Sequence, residues 1–74
     1  MDFQHRIRSL IMPIVNIKIA KGRSLEQKRL LVRSVTDAIA AAIAVPPEII
    51  WIQIDEFERE NFSVNGRLMA DKDP

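Results

Sequence analysis

The chain has 74 residues, of which 47% are hydrophobic, and it contains no cysteine and one histidine, His5. This length allows one small domain, near the lower limit for a self-sufficient core. Without cysteines, neither disulfides nor thiolate metal sites can supply stability, and we expect no metal site. Oligomerisation is the remaining way to stabilise so small a scaffold.

The charge pattern excludes two further classes of protein. Eleven basic and ten acidic residues give a net charge of +1, so no overall field points to nucleic acid. No apolar run approaches the roughly 20 residues that a membrane span needs, and the first twelve residues lack the apolar region of a secretory signal. We expect a cytoplasmic protein that binds neither nucleic acid nor membranes.

The first predicted element is a strand over residues 13–20, where apolar and polar side chains alternate. Val15, Ile17 and Ile19 fall on one face, and β-branched residues dominate the segment. The KGR sequence that follows predicts a turn in which Gly22 takes a positive φ.

A helix is predicted over residues 25–44, because Ser24 begins a Ser-x-x-Gln capping box. Pro46 and Pro47 cannot continue a helix and mark its end. The apolar residues that repeat at helical spacing are Leu31, Val35, Ala38, Ile39, Ala42 and Ile43.

A second strand is predicted over residues 49–57, with Ile50, Ile52 and Ile54 on its apolar face and a mixed face that bears Trp51 and Phe57. The VNG sequence beyond it marks a tight turn, which favours a short hairpin flanked by residues 62–64 and 67–69.

Together these elements predict an α/β (α+β) fold, a single β-α-β unit whose two strands are parallel, followed by a C-terminal loop or short hairpin. Parallel strands need cover on both faces, and one helix covers only one. Two strands alone are not stable either. The mixed face of the second strand is therefore expected to meet another subunit.

The segments MPIVNIKIAKGRSLEQK and IDEFERENFSVNGRL, in register with the β-α-β spacing, resemble the 4-oxalocrotonate tautomerase family from residue 12 to about residue 70. The resemblance implies a cofactor-independent tautomerase that isomerises a small 2-oxo or enol acid, assembled as a homo-oligomer with a hexamer favoured. We expect residues 1–12 to be an extension outside the fold, residues 13–70 to form the domain and residues 71–74 to fray.

The family's motifs match four positions of this chain. Its amino-terminal proline, exposed by removal of the initiator methionine, is the catalytic base and matches Pro13, so Met12 is interpreted as the true start. Its carboxylate-binding arginine matches Arg23, and a phenylalanine of the apolar pocket wall matches Phe62. Trp51 stands where the best-known member has a second arginine. Since Trp offers one N–H and no charge, the resemblance does not carry over recognition of that member's dicarboxylated substrate.

The chemistry fits these residue types. A base for proton transfer must be unprotonated near neutral pH, and burial beside a cation lowers the pKa of an amine because both disfavour the ammonium form. Arg23 would hold the substrate carboxylate through two parallel hydrogen bonds. A proline nitrogen within a peptide bond cannot act as a base, so activity is expected only if the chain starts at Pro13.

Two alternatives remain open. A dehalogenase or decarboxylase of small unsaturated acids would use the same proline, and needs a residue that activates water. A non-catalytic oligomeric module would retain the extension and use Pro13 only structurally. The acidic run Asp55, Glu56, Glu58 and Glu60 is interpreted as a solvated strand end rather than a metal site.

Overall fold

The computed structural model describes residues 13–72, so the expected extension, residues 1–12, and the last two residues of the predicted tail lie outside the described residues. The observed order confirms the predicted β-α-β unit followed by a short hairpin. The elements are β1 (Ile14–Ala20), α1 (Leu25–Ile43), β2 (Trp51–Phe57), β3 (Ser63–Val64) and β4 (Arg67–Leu68), with 3-10 helices at Pro47–Ile49, Arg59–Asn61 and Met69–Asp71.

β1 and β2 form a parallel pair, as predicted, with a register that runs from Ile14 opposite Trp51 to Ala20 opposite Phe57. Side chains of successive residues point to opposite faces of a strand. Glu56 of β2 contacts Lys28 of α1 at 2.8 Å, which identifies its face as the one that the helix covers. The opposite face, called the open face below, carries the side chains of Ile14, Asn16, Lys18, Ala20, Trp51, Gln53, Asp55 and Phe57.

The start of α1 has the predicted capping box. The hydroxyl of Ser24 accepts a hydrogen bond from the Gln27 backbone N–H at 3.0 Å, and the Gln27 side chain accepts from the Ser24 N–H at 2.9 Å. The helix ends at Ile43, one residue earlier than predicted, because Ala44 adopts a left-handed conformation with φ 56°. No helix within residues 13–72 is long and apolar enough to cross a membrane.

The covered face of α1 differs from the predicted one near the helix end. Leu31, Val35 and Ile39 are half-buried as expected, together with Val32, Thr36 and Ala40. Ala38, Ala42 and Ile43 are exposed instead. At about 100° per residue, Ala38 lies just outside the arc that the half-buried residues span, whereas Ala42 and Ile43 lie within that arc but beyond Ala40, the last half-buried position of the helix.

The predicted start of β2, residue 49, also differs from the observed one, Trp51. Residues 49 and 50 precede the strand because the Ile49 and Ile50 N–H groups bond to the carbonyls of Pro46 and Pro47 in a 3-10 turn. Their donors are therefore unavailable to the sheet. Ile50, at 8% exposure, is the only buried hydrophobic residue in the part of the chain that the structure describes.

The predicted tight turn lies between β3 and β4. Asn65 has a φ of 54° and Gly66 a φ of 77°, and two positive φ values in a two-residue loop are typical of a hairpin turn. The hairpin strands are shorter than expected. Phe62 precedes β3 and accepts a hydrogen bond at its carbonyl from the Met69 N–H at 2.7 Å.

Candidate active site

Pro13 and Trp51 lie together at the amino end of the sheet. The backbone N–H of Trp51 donates to the Pro13 carbonyl at 3.1 Å, directly before the first pair of the register, Ile14 with Trp51. Pro13 is half-buried, whereas Ile14 and Trp51 are exposed on the open face. The fold therefore places an exposed aromatic residue at the same end of the sheet as the proline predicted to be the base.

Arg23 lies at the other end of β1, in the exposed loop that leads to α1. Gly22 precedes it with a φ of +126°, a conformation that other residues rarely adopt. Ser24, which follows, is fixed by the capping box. Arg23 is thus an exposed guanidinium between two conformationally defined neighbours, directly before a helix N-terminus.

Phe62 also lies at the carboxyl end of the sheet. Its ring stacks on that of Phe57, the last residue of β2, with centroids 4.9 Å apart and an interplanar angle of 20°. This stacking anchors Phe62 while leaving 41% of the residue exposed. The exposed side of the ring can form the wall of a pocket only with something that packs against it.

The four predicted site residues therefore lie at two opposite ends of the sheet within one protomer, Pro13 and Trp51 at one end and Arg23 and Phe62 at the other. β1 has seven residues, and at about 3.3 Å per residue it separates Pro13 from the loop that bears Arg23 by more than about 20 Å. One protomer brings Pro13 to Trp51 but does not bring either to Arg23 or Phe62.

An ion pair joins the segments that follow β1 and β2 at the carboxyl end of the sheet. The Lys21 backbone N–H donates to the Phe57 carbonyl at 2.9 Å, and its ammonium contacts Glu58 at 3.0 Å. The hydrogen bond to Glu58 and the charge of that carboxylate raise the pKa of Lys21 above its ordinary value. The pair ties the segment that leads to Arg23 to the end of β2. A shallow concavity beside it is lined by Lys21, Gly22, Glu58, Arg59, Glu60 and Ala70.

Sequence reasoning missed a polar cluster on the open face. Asp55 accepts hydrogen bonds from the side-chain amides of Asn16 and Gln53, both at 3.0 Å and one to each carboxylate oxygen. Only part of the signal was in the sequence: Gln53 and Asp55 are two apart on one strand, whereas the position of Asn16 opposite Gln53 comes from the strand register.

The acidic run is more extensively paired than the interpretation as a solvated strand end suggested. Glu56 contacts Lys28 and Glu58 contacts Lys21, while Asp55 belongs to the polar cluster. Among residues 13–72, no group of three or more His, Asp or Glu side chains is arranged to hold a metal ion.

Comparison with known sequences assigns the chain to a family. Residues 13–72 match the tautomerase enzyme family. A probable tautomerase of Halalkalibacterium halodurans is 43% identical over 61 residues, which cover 82% of this chain and all of the relative. The 2-hydroxymuconate tautomerase of Bacillus subtilis is 37% identical over 60 residues, covering 81% of this chain and 97% of that protein.

Solved structures agree with the sequence relatives. A 4-oxalocrotonate tautomerase isozyme of Methylibium petroleiphilum matches with a TM-score of 0.79 and 37% identity, over 81% of this chain and 94% of that one. A heterohexameric 4-oxalocrotonate tautomerase of Chloroflexus aurantiacus gives 0.80 and 35%, over 84% and 100%. A structure analysed for trans-3-chloroacrylic acid dehalogenase activity gives 0.70 and 34%, over 76% and 97%.

The parallel β-α-β protomer, with a proline at the amino end of its sheet, thus has the architecture of a class of small isomerases. The chain belongs to the tautomerase family, in the group of the 4-oxalocrotonate tautomerases. Its activity is tautomerisation, an isomerisation that moves a proton between carbon and oxygen.

Proposed function

We propose that the chain interconverts the keto and enol forms of a small 2-oxo acid without a cofactor, using Pro13 as the general base and Arg23 to bind the substrate carboxylate. The observation that carries this proposal is the hydrogen bond from the Trp51 N–H to the Pro13 carbonyl. It holds Pro13 at the amino end of the sheet, the end at which Ile14 and Trp51 are exposed. Family membership supports the same assignment.

The proposed reaction needs only proton transfers. In the ketonisation direction a proton leaves the enol oxygen, the carbonyl forms, and the electron pair of the C=C bond takes a proton at carbon. A secondary amine can accept and return that proton, provided that its lone pair is not delocalised into an amide. The active form is therefore a chain that begins at Pro13.

Arg23 would supply the carboxylate-binding half of the site. A guanidinium binds a carboxylate through two parallel hydrogen bonds, and it would also stabilise the negative charge that develops on the enolate. Arg23 is exposed and lies more than about 20 Å along β1 from Pro13. In this proposal it therefore comes from a neighbouring copy, and Phe62 contributes a wall of the same pocket.

This division of the site makes a homo-oligomer part of the proposal. The open face presents Ile14 and Trp51 to solvent in the isolated protomer, and uncovered parallel strands need a partner. We favour a hexamer, in keeping with the hexameric assembly of the Chloroflexus aurantiacus relative.

The test compares three proteins: a chain that begins at Pro13, the same chain with Pro13→Ala, and the full 74-residue chain. We expect the first to ketonise a 2-hydroxy-2-enoic acid, followed by ultraviolet absorbance, and the other two to be slower by at least about 100-fold. Leu30→Ala on the exposed side of α1 is the matched control and should retain full activity. Equal rates in all three proteins would remove Pro13 from the mechanism.

Intact-mass spectrometry of protein purified from its natural source addresses the non-catalytic alternative. A mass that corresponds to a first residue Pro13 supports the enzyme. A chain that retains residues 1–12 and lacks tautomerase activity supports a module in which Pro13 has only a structural role.

The hydrolytic alternative has one specific observation in its favour, the similarity to the structure analysed for trans-3-chloroacrylic acid dehalogenase activity. Hydrolysis needs a group that activates water. Both oxygens of Asp55, the carboxylate on the open face, already accept amide hydrogen bonds, which disfavours it as a base. We expect no chloride release from 3-chloroacrylate by the chain that begins at Pro13.

A further inference from the structure

The open face carries one basic and one acidic side chain. Among its eight side chains, Lys18 is the only base and Asp55 the only acid, and the strand register places the two residues opposite each other. Lys18 is exposed, and within residues 13–72 no ion pair joins its ammonium to a carboxylate. On the described open face, the charge of Lys18 is therefore unpaired in the protomer.

The carboxylate of Asp55, in contrast, is held in a defined orientation. One of its oxygens accepts a hydrogen bond from the side-chain amide of Asn16 and the other from that of Gln53, both at 3.0 Å. An ionised carboxylate has about four acceptor sites in all, so each oxygen can accept a further hydrogen bond. Asp55 is thus an oriented anion with the capacity to bind an ammonium group.

Apolar residues lie at both ends of the open face. Ile14 and Trp51 are 65% and 55% exposed at the amino end, and Phe57 lies at the carboxyl end. A parallel sheet needs cover on such a face, and covering it also withdraws Lys18 and Asp55 from water. An ammonium group buried without a partner is costly. Whatever covers the face must therefore bring an anion to Lys18.

We infer that the open face binds the open face of a second copy about a two-fold axis, and that Lys18 of each copy forms an ion pair with Asp55 of the other. A two-fold contact brings together the same patch of both copies, so a face with one cation and one anion provides the complement of each. The two ion pairs also select the partner, because a chain with an uncharged or like-charged face would leave Lys18 or Asp55 unpaired. The inference concerns which surfaces meet, and not the chemistry at Pro13.

Charge reversal in the full 74-residue chain tests the two ion pairs. Lys18→Asp gives a face with only acids and Asp55→Lys a face with only bases, so each variant alone should assemble poorly. We expect the concentration at which the assembly dissociates to rise at least about tenfold for each variant, measured by size-exclusion chromatography with light scattering. When the two variants are unfolded and refolded together, they should assemble with equal numbers of both chains, because each acidic face then meets a basic one.

The composition of the mixed assembly, measured by native mass spectrometry, separates a contact between copies from one within a copy. An ion pair within one copy would leave two like charges in every chain of the mixture, and joint refolding would not restore assembly. Arg33→Asp and Asp37→Lys are the matched controls, since they make the same charge changes at exposed positions of α1. Each control variant should assemble alone as the wild type does, and their mixture should show no preference for equal numbers.

Assembly that is weakened in both single variants and restored in their mixture supports the inference. Single variants that assemble as tightly as the wild type overturn it and leave the homo-oligomer of the proposed function in place, as does a mixture that does not recover. A monomeric wild-type chain overturns both. If Lys18→Asp or Asp55→Lys does not fold alone, joint refolding still decides, because the mixture supplies the complementary face.

Discussion

Pro13 and Arg23 lie beyond opposite ends of the same strand, β1, with seven strand residues between their two ends of the sheet. A rigid β-strand cannot bend to bring them together. Any reaction that uses both residues at one substrate therefore combines a proline from one copy with an arginine from another.

This separation predicts complementation between two inactive variants. Pro13→Ala and Arg23→Ala chains should each have little activity alone, yet regain it when they are unfolded together and refolded as mixed oligomers. Random mixing leaves an intact proline in half of the sites and an intact arginine in half of those, so about a quarter of wild-type activity is expected. A mixture of separately refolded oligomers is the control. No recovery after joint refolding would place both residues of a site in the same chain, or one of them outside it.

The Lys28–Glu56 pair should couple α1 to β2 measurably. Its side chains are 27% and 29% exposed and 2.8 Å apart, so water screens the pair less than it screens a surface ion pair. A double-mutant cycle with Lys28→Met and Glu56→Gln, measured by urea unfolding, should give a coupling of about 1 kcal/mol. The same cycle on Lys21 and Glu58, which are 65% and 51% exposed, should give less. Equal coupling energies in the two cycles would show that partial burial does not strengthen the Lys28–Glu56 pair.

The stability that Lys21 contributes should depend on pH in one direction. Its pKa is raised in the folded chain by the hydrogen bond to Glu58 and by that carboxylate's charge. A raised folded pKa means that the contribution is complete below the unfolded pKa and is lost as the pH rises through the folded value. The difference in unfolding free energy between wild type and Lys21→Met should therefore be constant from about pH 7 to about pH 10 and shrink above that range.

Lys21→Arg provides the control for that measurement. A guanidinium stays charged throughout this range, so the arginine variant should keep its ion pair with Glu58 and gain stability relative to wild type as Lys21 deprotonates. A wild-type advantage over Lys21→Met that grows with pH would contradict the assignment.

The capping box at the start of α1 should contribute to stability as a unit. Ser24→Ala removes the acceptor for the Gln27 N–H and should cost about 1 kcal/mol of unfolding free energy. Ser24→Thr keeps a hydroxyl and should cost much less. Since Arg23 precedes the cap, Ser24→Ala should also raise KM for the carboxylate substrate, whereas Ser24→Thr should not. An equal loss of unfolding free energy in the Ser24→Ala and Ser24→Thr variants would mean that the serine is needed for its size and not for its hydroxyl.

Sequence patterns predicted the elements because short-range chemistry determines them. The alternation of Val15, Ile17 and Ile19, and the Ser24 capping box, depend on neighbours only a few residues away. The predicted start of β2 was wrong because the Ile50 N–H bonds to the Pro47 carbonyl in a local turn. Apolar spacing alone predicts that residues 49 and 50 belong to the strand.

The candidate site was predicted residue by residue but not as an arrangement. Resemblance to a family identified Pro13 and Arg23, and the predicted strand over residues 13–20 already lies between them, but the sequence does not state how copies of the chain would bring the two residues together. The Asp55 cluster was missed because its amide partner Asn16 is 39 residues away, and only the strand register brings the two together. The roles of Pro13, Arg23, Trp51 and Phe62 stay predictions.

Ile50 alone is buried among the apolar residues of the described chain, and this has a consequence for every measurement on the protein. With only one apolar residue buried inside one copy, we expect folding and assembly to be a single equilibrium. Dilution then acts as a denaturant, and Tm should climb with chain concentration. A substitution on the open face that weakens contact between copies should lower the Tm, even where it leaves its own strand intact.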